Sequence, residues 1–279
     1  MPELPEVETI RTYLADVLPN HAVVRVAHLD GRMVKMGTMA AELIRGRLPG
    51  LVVQSIRRRG KYLIIQFHDG SALVIHLGMS GRLVVEPTTT PWRTHTHMVL
   101  GLPGEAELRL VDPRRFGRIG YFLEFGEHTL KLGLEPFDRK FTGDYLRDRL
   151  SARRSSIKTL LLDQSLVAGL GNIYADEALF GARIHPLTEG AAISRQASRR
   201  LVGSIRRVLR VSIAHRGTSF SDYVDALGQP GENQAYLAVY GRTGDPCVRC
   251  GAPIQSMVIQ SRTSHFCQQC QPMLEDLEG

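Results

Sequence analysis

The sequence contains few of the residues that mark secreted or membrane-bound proteins. Only four of its 279 residues are cysteine, and none occurs before Cys247, which argues against the disulfide framework of a secreted fold. No apolar run reaches the roughly 18 residues that a membrane span needs. The first residues are acidic, unlike the basic start of a signal peptide. The sequence therefore predicts a soluble, cytoplasmic protein with no membrane partner.

Acidic residues are also in deficit. The chain has 28 acidic residues against 35 lysines and arginines, a net charge of +7, which favours a polyanionic partner such as nucleic acid. The basic residues form three clusters: Arg57, Arg58, Arg59 and Lys61; Arg153, Arg154 and Lys158; and Arg199, Arg200, Arg206, Arg207 and Arg210. Each cluster alone is typical of a solvated face, but several together predict a surface that follows phosphates.

The cysteines form two Cys-x-x-Cys pairs, Cys247–Cys250 and Cys267–Cys270. Their spacing is typical of a tetrahedral zinc site with four thiolate ligands. We therefore predict one structural Zn²⁺ ion and no redox cofactor. Arg262 lies between the pairs, where a metal-fixed hairpin would present it to DNA, although the spacing alone favours a plain solvated arginine.

Hydrophobic periodicity predicts a strand-rich first half and a helical second half. The first helix is expected over residues 5–18, with Val7, Ile10, Leu14 and Val17 on its apolar face. Seven strands, typical of an antiparallel sandwich or barrel, are predicted over Ala22–Leu29, Leu51–Arg57, Tyr62–Phe67, Ala72–His76, Met98–Leu102, Glu107–Val111 and Ile119–Phe122. Helices follow over Tyr145–Leu150, Ile157–Leu162, Ile173–Phe180 and Ser194–Ala214. The predicted fold is α+β, with about two domains.

The N-terminus offers a nucleophile. Removal of Met1 would leave a secondary amine on Pro2, and an α-amino group is far less protonated at neutral pH than a lysine. Such an amine attacks an aldehyde-level carbon to form an iminium, an electron sink like that of Schiff-base lysines. Glu3 and Glu6 lie beside it as candidate proton carriers. Most proteins that begin Met-Pro make no such use of the proline, so this segment alone does not establish catalysis.

Several loops carry side chains suited to DNA. Met79 lies in a glycine-bracketed turn and Phe116 follows two arginines, and apolar side chains beside arginines can wedge between bases. Asn172 follows a glycine-rich turn that leads into a helix, an arrangement that can hold a phosphate. Lys61 follows a run of arginines. Taken singly, these residues fit a core methionine, a core phenylalanine, a helix cap and a solvated lysine at least as well.

Taken together, these segments resemble the bacterial formamidopyrimidine-DNA glycosylases. The matching segments, in chain order, are Pro2–Thr9, Arg59–Leu63, His76–Gly81, Asp112–Gly117, Gly169–Glu177, Val239–Arg242 and the four-cysteine module. They extend from Pro2 to Gln271, nearly the whole chain. The sequence departs from the family pattern at Thr96, where the family often has aspartate. It departs again at Glu232-Asn233, where the family's loop usually carries an aromatic residue.

The resemblance implies a domain organisation. An N-terminal antiparallel β-sandwich with flanking helices is expected over residues 1–137, and a helical helix-two-turn-helix domain over 138–242. A β-hairpin zinc finger is expected over 243–279. Residues 217–234 correspond to the family's loop that covers an everted lesion.

The resemblance also implies an activity. The family excises oxidised purines, chiefly 8-oxoguanine and formamidopyrimidines, from duplex DNA after flipping the base, and then cuts the strand as an AP lyase in base excision repair. Pro2 would form the Schiff base with C1′, and Glu3 would act as general acid and base. Lys61 would bind phosphate and donate a proton in β-elimination, and Arg262 would bind the lesion phosphate and serve δ-elimination.

The same resemblance implies the DNA contacts. Met79, Arg114 and Phe116 match the residues that fill the gap left by the flipped base, with Arg114 facing the orphaned cytosine. Lys158 and Asn172 match phosphate ligands, and further DNA contacts are implied at His95, Arg153 and Tyr240. The expected partner is damaged duplex DNA, bound by a monomer that associates with the nucleoid through it.

Three other functions compete with this interpretation. An endonuclease VIII-like enzyme for oxidised pyrimidines is disfavoured, because that branch typically begins Pro-Glu-Gly-Pro and this chain has leucine at position 4. A catalytically silent zinc-containing DNA-binding protein is disfavoured by the intact Pro2, Glu3 and Lys61. A structural zinc ribbon would explain residues 247–270 but not the rest of the chain.

Overall fold

The computed structural model describes residues 1–126, 128–220 and 223–273, which form two compact units. The first unit contains residues 1–130 and 213–234, and the second contains residues 131–212 and the chain after 234. The expected α+β mixture is confirmed. No helix within the described ranges is both long enough and apolar enough to cross a lipid bilayer.

The predicted domain boundaries at 137/138 and 242/243 stay predictions. Residues 217–234, expected to belong with the helical segment, are part of the first unit. Two long-range hydrogen bonds join these residues to the first unit: Thr218 donates its N–H to the Glu6 carboxylate, and Val85 donates its N–H to the carbonyl of Ala226. Ser221 and Asp222 of that loop, and residues 274–279 of the predicted zinc finger, lie outside the described residues.

The first unit is built from two sheets and two helices. The helices are α1 (Leu4–Val17) and α2 (Ala41–Arg47). The strands are β1 (Arg25–Leu29), β2 (Val34–Gly37), β3 (Val53–Arg59), β4 (Tyr62–Phe67), β5 (Ala72–His76), β6 (Arg82–Pro87), β7 (Thr96–Leu102), β8 (Ala106–Val111) and β9 (Arg118–Phe122). One sheet has the antiparallel order β1-β7-β8-β6. The other has the order β2-β9-β5-β4-β3, in which β2 and β9 pair in parallel.

Helix α1 contributes one face to the core of this unit. Val7, Ile10 and Leu14 are buried in the same cluster as strand residues of both sheets, as their helical spacing predicts. Val17, assigned to that face, is 37% exposed, and Leu18 is buried in its place. The helix ends at Val17, so the helical period no longer applies there. The prediction missed α2, β2 and β6, which are a short helix and two sheet-edge strands.

The second unit contains four α-helices, a 3-10 turn over Gly190–Ala192 and one hairpin among its described residues. The α-helices and the strands of the hairpin are α3 (Gly143–Leu150), α4 (Ile157–Leu162), α5 (Asn172–Ala182), α6 (Arg195–Ala214, which continues into the first unit), β10 (Gln255–Ile259) and β11 (Arg262–Phe266). The buried face of α6 includes Leu201, Ile205 and Leu209, which recur at helical spacing. Cys247 and Cys267 are buried in a small cluster with Phe180 of α5.

Candidate active site and nucleic-acid interface

The start of the chain is fixed by a reciprocal capping arrangement. Glu3 occupies the N-cap position of α1, and its side chain accepts a hydrogen bond from the N–H of Glu6. The Glu6 carboxylate accepts the N–H of Glu3 at 2.8 Å in return. Pro2 and Glu3 are both buried, Glu3 to 2% exposure. The segment that carries the candidate nucleophile is therefore held at the N-terminus of a helix, where the helix dipole favours negative charge.

Lys61 lies in a two-residue turn between β3 and β4. Arg59 and Tyr62 pair across this turn, and Gly60 has a positive φ of 57° that suits glycine at the first turn position. Lys61 is nevertheless 6% exposed. Burial first, and the charges of Lys61 and Arg118 after it, lower the pKa of His76 to about 4. Lys61 and His76 are therefore close enough in the first unit for the lysine charge to affect the histidine.

The two candidate wedge loops are locked to one another. The Asp112 carboxylate accepts the hydroxyl of Ser80 at 2.6 Å and the N–H of Gly117 at 2.7 Å. Gly78, with φ of 64°, approaches so closely that a Cβ there would lie 2.4 Å from the carbonyl carbon of Phe116. These contacts join the turn that contains Gly78, Met79 and Ser80 to the turn that contains Phe116.

Three side chains project from these loops. Met79 is 41% exposed and Phe116 is 48% exposed. The Arg114 guanidinium lies 4.9 Å from the centre of the Phe116 ring. Large apolar side chains are usually buried, so an exposed pair on a rigid loop frame fits the predicted wedge. The alternative of a core methionine and a core phenylalanine does not fit this exposure.

A basic cavity lies beside His95. It has a volume of about 370 Å³ and is lined in part by His28, Arg32, Arg45, His95 and Arg115. His95 and Arg115 both have positive φ, 68° and 54°, which is uncommon for residues other than glycine. Asp30 also lines the cavity and pairs with Arg32 at 3.0 Å. The DNA contact at His95 stays a prediction.

At Thr96, where the sequence departs from the family pattern, the side chain makes a local hydrogen bond. Thr96 donates its hydroxyl to the carbonyl of Arg93 at 2.7 Å. The neighbouring ring of His97 is held instead by Asp30, at 3.1 Å from Nδ1, and by the carbonyl of Asp112, at 3.0 Å from Nε2. A carboxylate from a distant part of the sequence therefore supports this segment.

The loop over residues 217–234 is closed at its base by polar contacts. Glu232 donates its N–H to the carbonyl of His215, and its carboxylate lies 2.5 Å from the Arg216 guanidinium. Asn233 is buried and donates its side-chain amide to the hydroxyl of Thr218 at 2.8 Å. Glu232 and Asn233, which replace the family's usual aromatic segment, therefore hold the two ends of the loop together.

In the second unit, Arg262 and Asn172 are linked through the hairpin. Gln260 and Ser261 form the two-residue turn between β10 and β11, both with positive φ, as a type I′ turn requires. Arg262 is exposed as the first residue of β11. Asn172 donates its side-chain amide to the carbonyl of Thr263 at 2.8 Å. Asn172 is the first residue of α5 and Gly171 is its N-cap, so the interpretation of Asn172 as a helix cap is wrong.

Three further predicted contacts differ in exposure. Arg153 is partly exposed and lies 3.5 Å from Asp163. The Tyr240 ring packs edge-on against His265, with 4.9 Å between ring centres. Lys158 is fully buried and paired with Asp176.

The sequence did not predict a role for one buried carboxylate of this unit, Glu177. Glu177 accepts the N–H groups of Ala238, Val239 and Tyr240, and burial raises its pKa. It fixes the backbone at Tyr240. Glu177 belongs to a segment that the sequence analysis singled out, but its partners lie about sixty positions away, so local patterns do not reveal them.

The four cysteines form a compact cluster. Their Sγ atoms all lie within 4.8 Å of one another, with 3.5 Å between Cys250 and Cys267 and 3.9 Å between Cys247 and Cys270. Thiolates about 2.3 Å from a central ion, at tetrahedral angles, have similar mutual distances. The cluster fits one structural zinc ion, as predicted.

Three family models match the chain in order. The formamidopyrimidine-DNA glycosylase N-terminal domain matches residues 1–119, and the formamidopyrimidine-DNA glycosylase H2TH domain matches residues 132–224. The zinc finger found in FPG and IleRS matches residues 244–272.

Similar proteins span the same length. The formamidopyrimidine-DNA glycosylase of Herpetosiphon aurantiacus is 43% identical over 273 residues, which cover 97% of this chain and all of the relative. That of Moorella thermoacetica is 45% identical over 262 residues, covering 91% of this chain and 94% of the relative.

Solved structures agree with these matches. Lactococcus lactis Fpg in complex with DNA containing an abasic site has a TM-score of 0.89 at 35% identity, covering 97% of this chain and all of that one. The MutM (Fpg) protein of Thermus thermophilus has a TM-score of 0.85 at 37% identity, covering 97% and 98%.

Proposed function

The chain belongs to the formamidopyrimidine-DNA glycosylase family of DNA repair enzymes, and we propose from this premise that it excises oxidised purines from duplex DNA and then cuts the strand. The proposed substrates are 8-oxoguanine and formamidopyrimidines. The observation that carries the proposal is the buried Glu3 at the N-cap of α1, directly after Pro2. A nucleophile and an acid–base group are thereby held in one short segment.

The first step uses Pro2 and Glu3. After Met1 is removed, the Pro2 nitrogen attacks C1′ of the flipped nucleotide, and the glycosidic bond breaks. Glu3 delivers a proton as the base departs and the sugar ring opens, and the nitrogen loses its proton as the Schiff base forms. The iminium acidifies the C2′–H bond. A C2′ proton passes to solvent, its electron pair forms the C1′–C2′ double bond of an enamine, and cleavage of the C3′–O bond releases the 3′ phosphate.

The later steps use basic side chains. Lys61 binds phosphate and donates a proton in β-elimination. Arg262, exposed at the start of β11, binds the lesion phosphate and serves δ-elimination. The four-thiolate zinc site fixes the hairpin that carries this arginine.

The proposed DNA contacts come from both units. Met79, Arg114 and Phe116 fill the space left by the flipped base, and their exposure on a locked loop pair supports this role. Residues 217–234 cover the everted base. His95, Arg153, Asn172 and Tyr240 are proposed contacts to the strands. One chain supplies all of these groups, so a monomer suffices.

Borohydride trapping tests the proposal. Protein that lacks Met1 is incubated with a duplex containing 8-oxoguanine opposite cytosine, and borohydride is added. A covalent protein–DNA adduct is expected, and Pro2→Gly should reduce it sharply. Pro19→Gly, altered just after α1, serves as the control and should trap normally. Absence of an adduct with the wild-type protein would exclude the lyase mechanism.

A second substrate separates this function from its sister function. A duplex that carries an oxidised pyrimidine, such as thymine glycol, should be processed more slowly than the 8-oxoguanine duplex. Preference for the pyrimidine would instead assign the chain to endonuclease VIII-like chemistry.

A further inference from the structure

Lys158 occupies an unusual place for a phosphate ligand. Its side chain is 0% exposed, and so is that of Asp176, whose Oδ1 lies 2.5 Å from the Lys158 ammonium group. The ammonium group also donates to the carbonyl of Asn172 at 2.9 Å. Lysines on DNA-binding surfaces keep the charged end in solvent. The Lys158 ammonium group instead lies inside the second unit, where it pairs α4 with α5.

The other oxygen of Asp176 points to the zinc hairpin. Asp176 Oδ2 accepts the N–H of His265 at 3.0 Å, and the Nδ1 atom of the His265 ring lies 3.5 Å away. One buried carboxylate therefore contacts α4 through Lys158 and β11 through His265. Its neighbour Asn172 also contacts β11, at the Thr263 carbonyl.

A buried carboxylate can play this role only if its charge is compensated. Removing a carboxylate from water is costly unless a cation and hydrogen bonds replace the lost hydration. Lys158 supplies that cation. If Lys158 moved outward to a phosphate, the buried Asp176 would exchange its ammonium partner for the N–H of His265 and a His265 ring nitrogen 3.5 Å away. The pairing therefore opposes a role for Lys158 at the DNA surface.

We propose that Lys158 is a positioning residue that acts through Asp176 to hold β11, and with it Arg262, against the start of α5. It is not a phosphate ligand, in contrast to the role that family resemblance assigned to it. Only the expected effect on the role of Arg262 rests on the proposed function. The contacts of Asp176 with Lys158 and His265 are present in the DNA-free protein.

The salt dependence of DNA binding distinguishes the two roles. Each phosphate contact contributes roughly 0.9 to the slope of log K against log salt concentration. Affinity for an abasic-site duplex is measured at several salt concentrations for wild type, Lys158→Met and Asp176→Asn. Both variants should bind more weakly with the slope unchanged, and the double variant should be no worse than the single variants. Arg262→Met is the comparison variant. It should lose one phosphate contact and so reduce the magnitude of the slope by about 0.9.

A kinetic readout follows Arg262. Both Lys158→Met and Asp176→Asn should slow δ-elimination relative to β-elimination by about ten- to a hundred-fold, since displacement of a catalytic group by an ångström has effects of this size. A change in folding stability alone would leave this product ratio unaltered well below the melting temperature.

Three outcomes would overturn the inference. The first is a slope reduced by about 0.9 in Lys158→Met. The second is Asp176→Asn binding DNA as tightly as wild type, or more tightly, with an unaltered product ratio. The third is additive losses in the double variant. If Lys158→Met does not fold, Asp176→Asn decides between the roles alone. Failure of the wild-type protein to process the duplex would instead reject the proposed function.

Discussion

The carboxylate of Glu6 accepts the backbone N–H of Thr218 at 2.8 Å, although the two residues lie 212 positions apart in the chain. Its other oxygen accepts the N–H of Glu3. Gly217 passes so close that a Cβ there would meet the Glu6 side chain at 2.9 Å. One side chain therefore joins the segment that carries Pro2 and Glu3 to the base of the loop over 217–234.

Replacing Glu6 with glutamine should weaken this junction. Glutamine offers one acceptor oxygen, so one of the two N–H groups would face an amide NH₂ without an acceptor. The expected loss of unfolding free energy is about 1–3 kcal/mol. Excision of 8-oxoguanine should fall more than cleavage of an abasic site, which has no base for the loop to cover. Denaturant unfolding and kcat/KM on both duplexes measure these effects.

Glu42→Gln is the control for Glu6→Gln. Glu42 lies on α2, is 74% exposed and pairs with Arg45 at the surface, where ion pairs contribute little. Equal losses from both variants on both duplexes would contradict a specific link between Glu6 and the loop.

Gly78→Ala should disturb the two wedge loops. Gly78 combines a positive φ with a Cβ position 2.4 Å from the backbone of Phe116. Gly104 also has a positive φ, 74°, but has open space around it. Gly104→Ala therefore measures backbone strain alone, about 1 kcal/mol or somewhat more. Gly78→Ala should lose clearly more unfolding free energy and also DNA affinity. Matching losses in the two variants would show that the loops can separate at no cost.

Acid should destabilise the first unit through His76. Its neutral ring accepts the N–H of Gly78 at Nδ1, and its pKa falls from 6.5 to about 4 on folding. The unfolded chain therefore binds more protons between these values, and stability decreases as the pH falls from 6.5 to about 4. The total effect is about 3 kcal/mol.

His76→Asn tests this dependence, because its side-chain oxygen can accept the same N–H and does not titrate. The unfolding free energy of this variant, measured across the acid range, should decrease less than that of the wild type. The exposed His21 gives the control variant His21→Asn. A wild-type curve that is no steeper than that of His76→Asn would refute the assignment.

Zinc removal should unfold the hairpin that carries Arg262. Elemental analysis should find one zinc ion per chain, and a chelator should lower both the melting temperature and the affinity for DNA, since metal binding supplies the folding energy of such modules. Cys267→Ser should have the same effect, whereas Ser256→Ala, at an exposed position of β10, should not. Normal melting and DNA binding after complete zinc removal would disprove the structural role of the ion.

The sequence alone determined the features that depend on residues near one another in the chain. The apolar spacing in α1 predicted its buried face up to Leu14. The strands predicted over Tyr62–Phe67 and Ala72–His76 coincide with β4 and β5. The two Cys-x-x-Cys pairs predicted a cluster that the structure forms. Such features are readable because helical period, turn chemistry and ligand spacing act over a few residues.

Tertiary structure alone decided the contacts between distant residues. Asp30 supports His97 across 67 positions, and the Glu6 carboxylate reaches the distant loop base. Lys158, basic and part of a basic cluster in the sequence, is buried against Asp176 in the fold. A residue type records the charge or hydrogen-bonding capacity of a side chain. Only the folded backbone determines whether water, a phosphate or a buried partner satisfies that capacity, because desolvation depends on everything that surrounds the group.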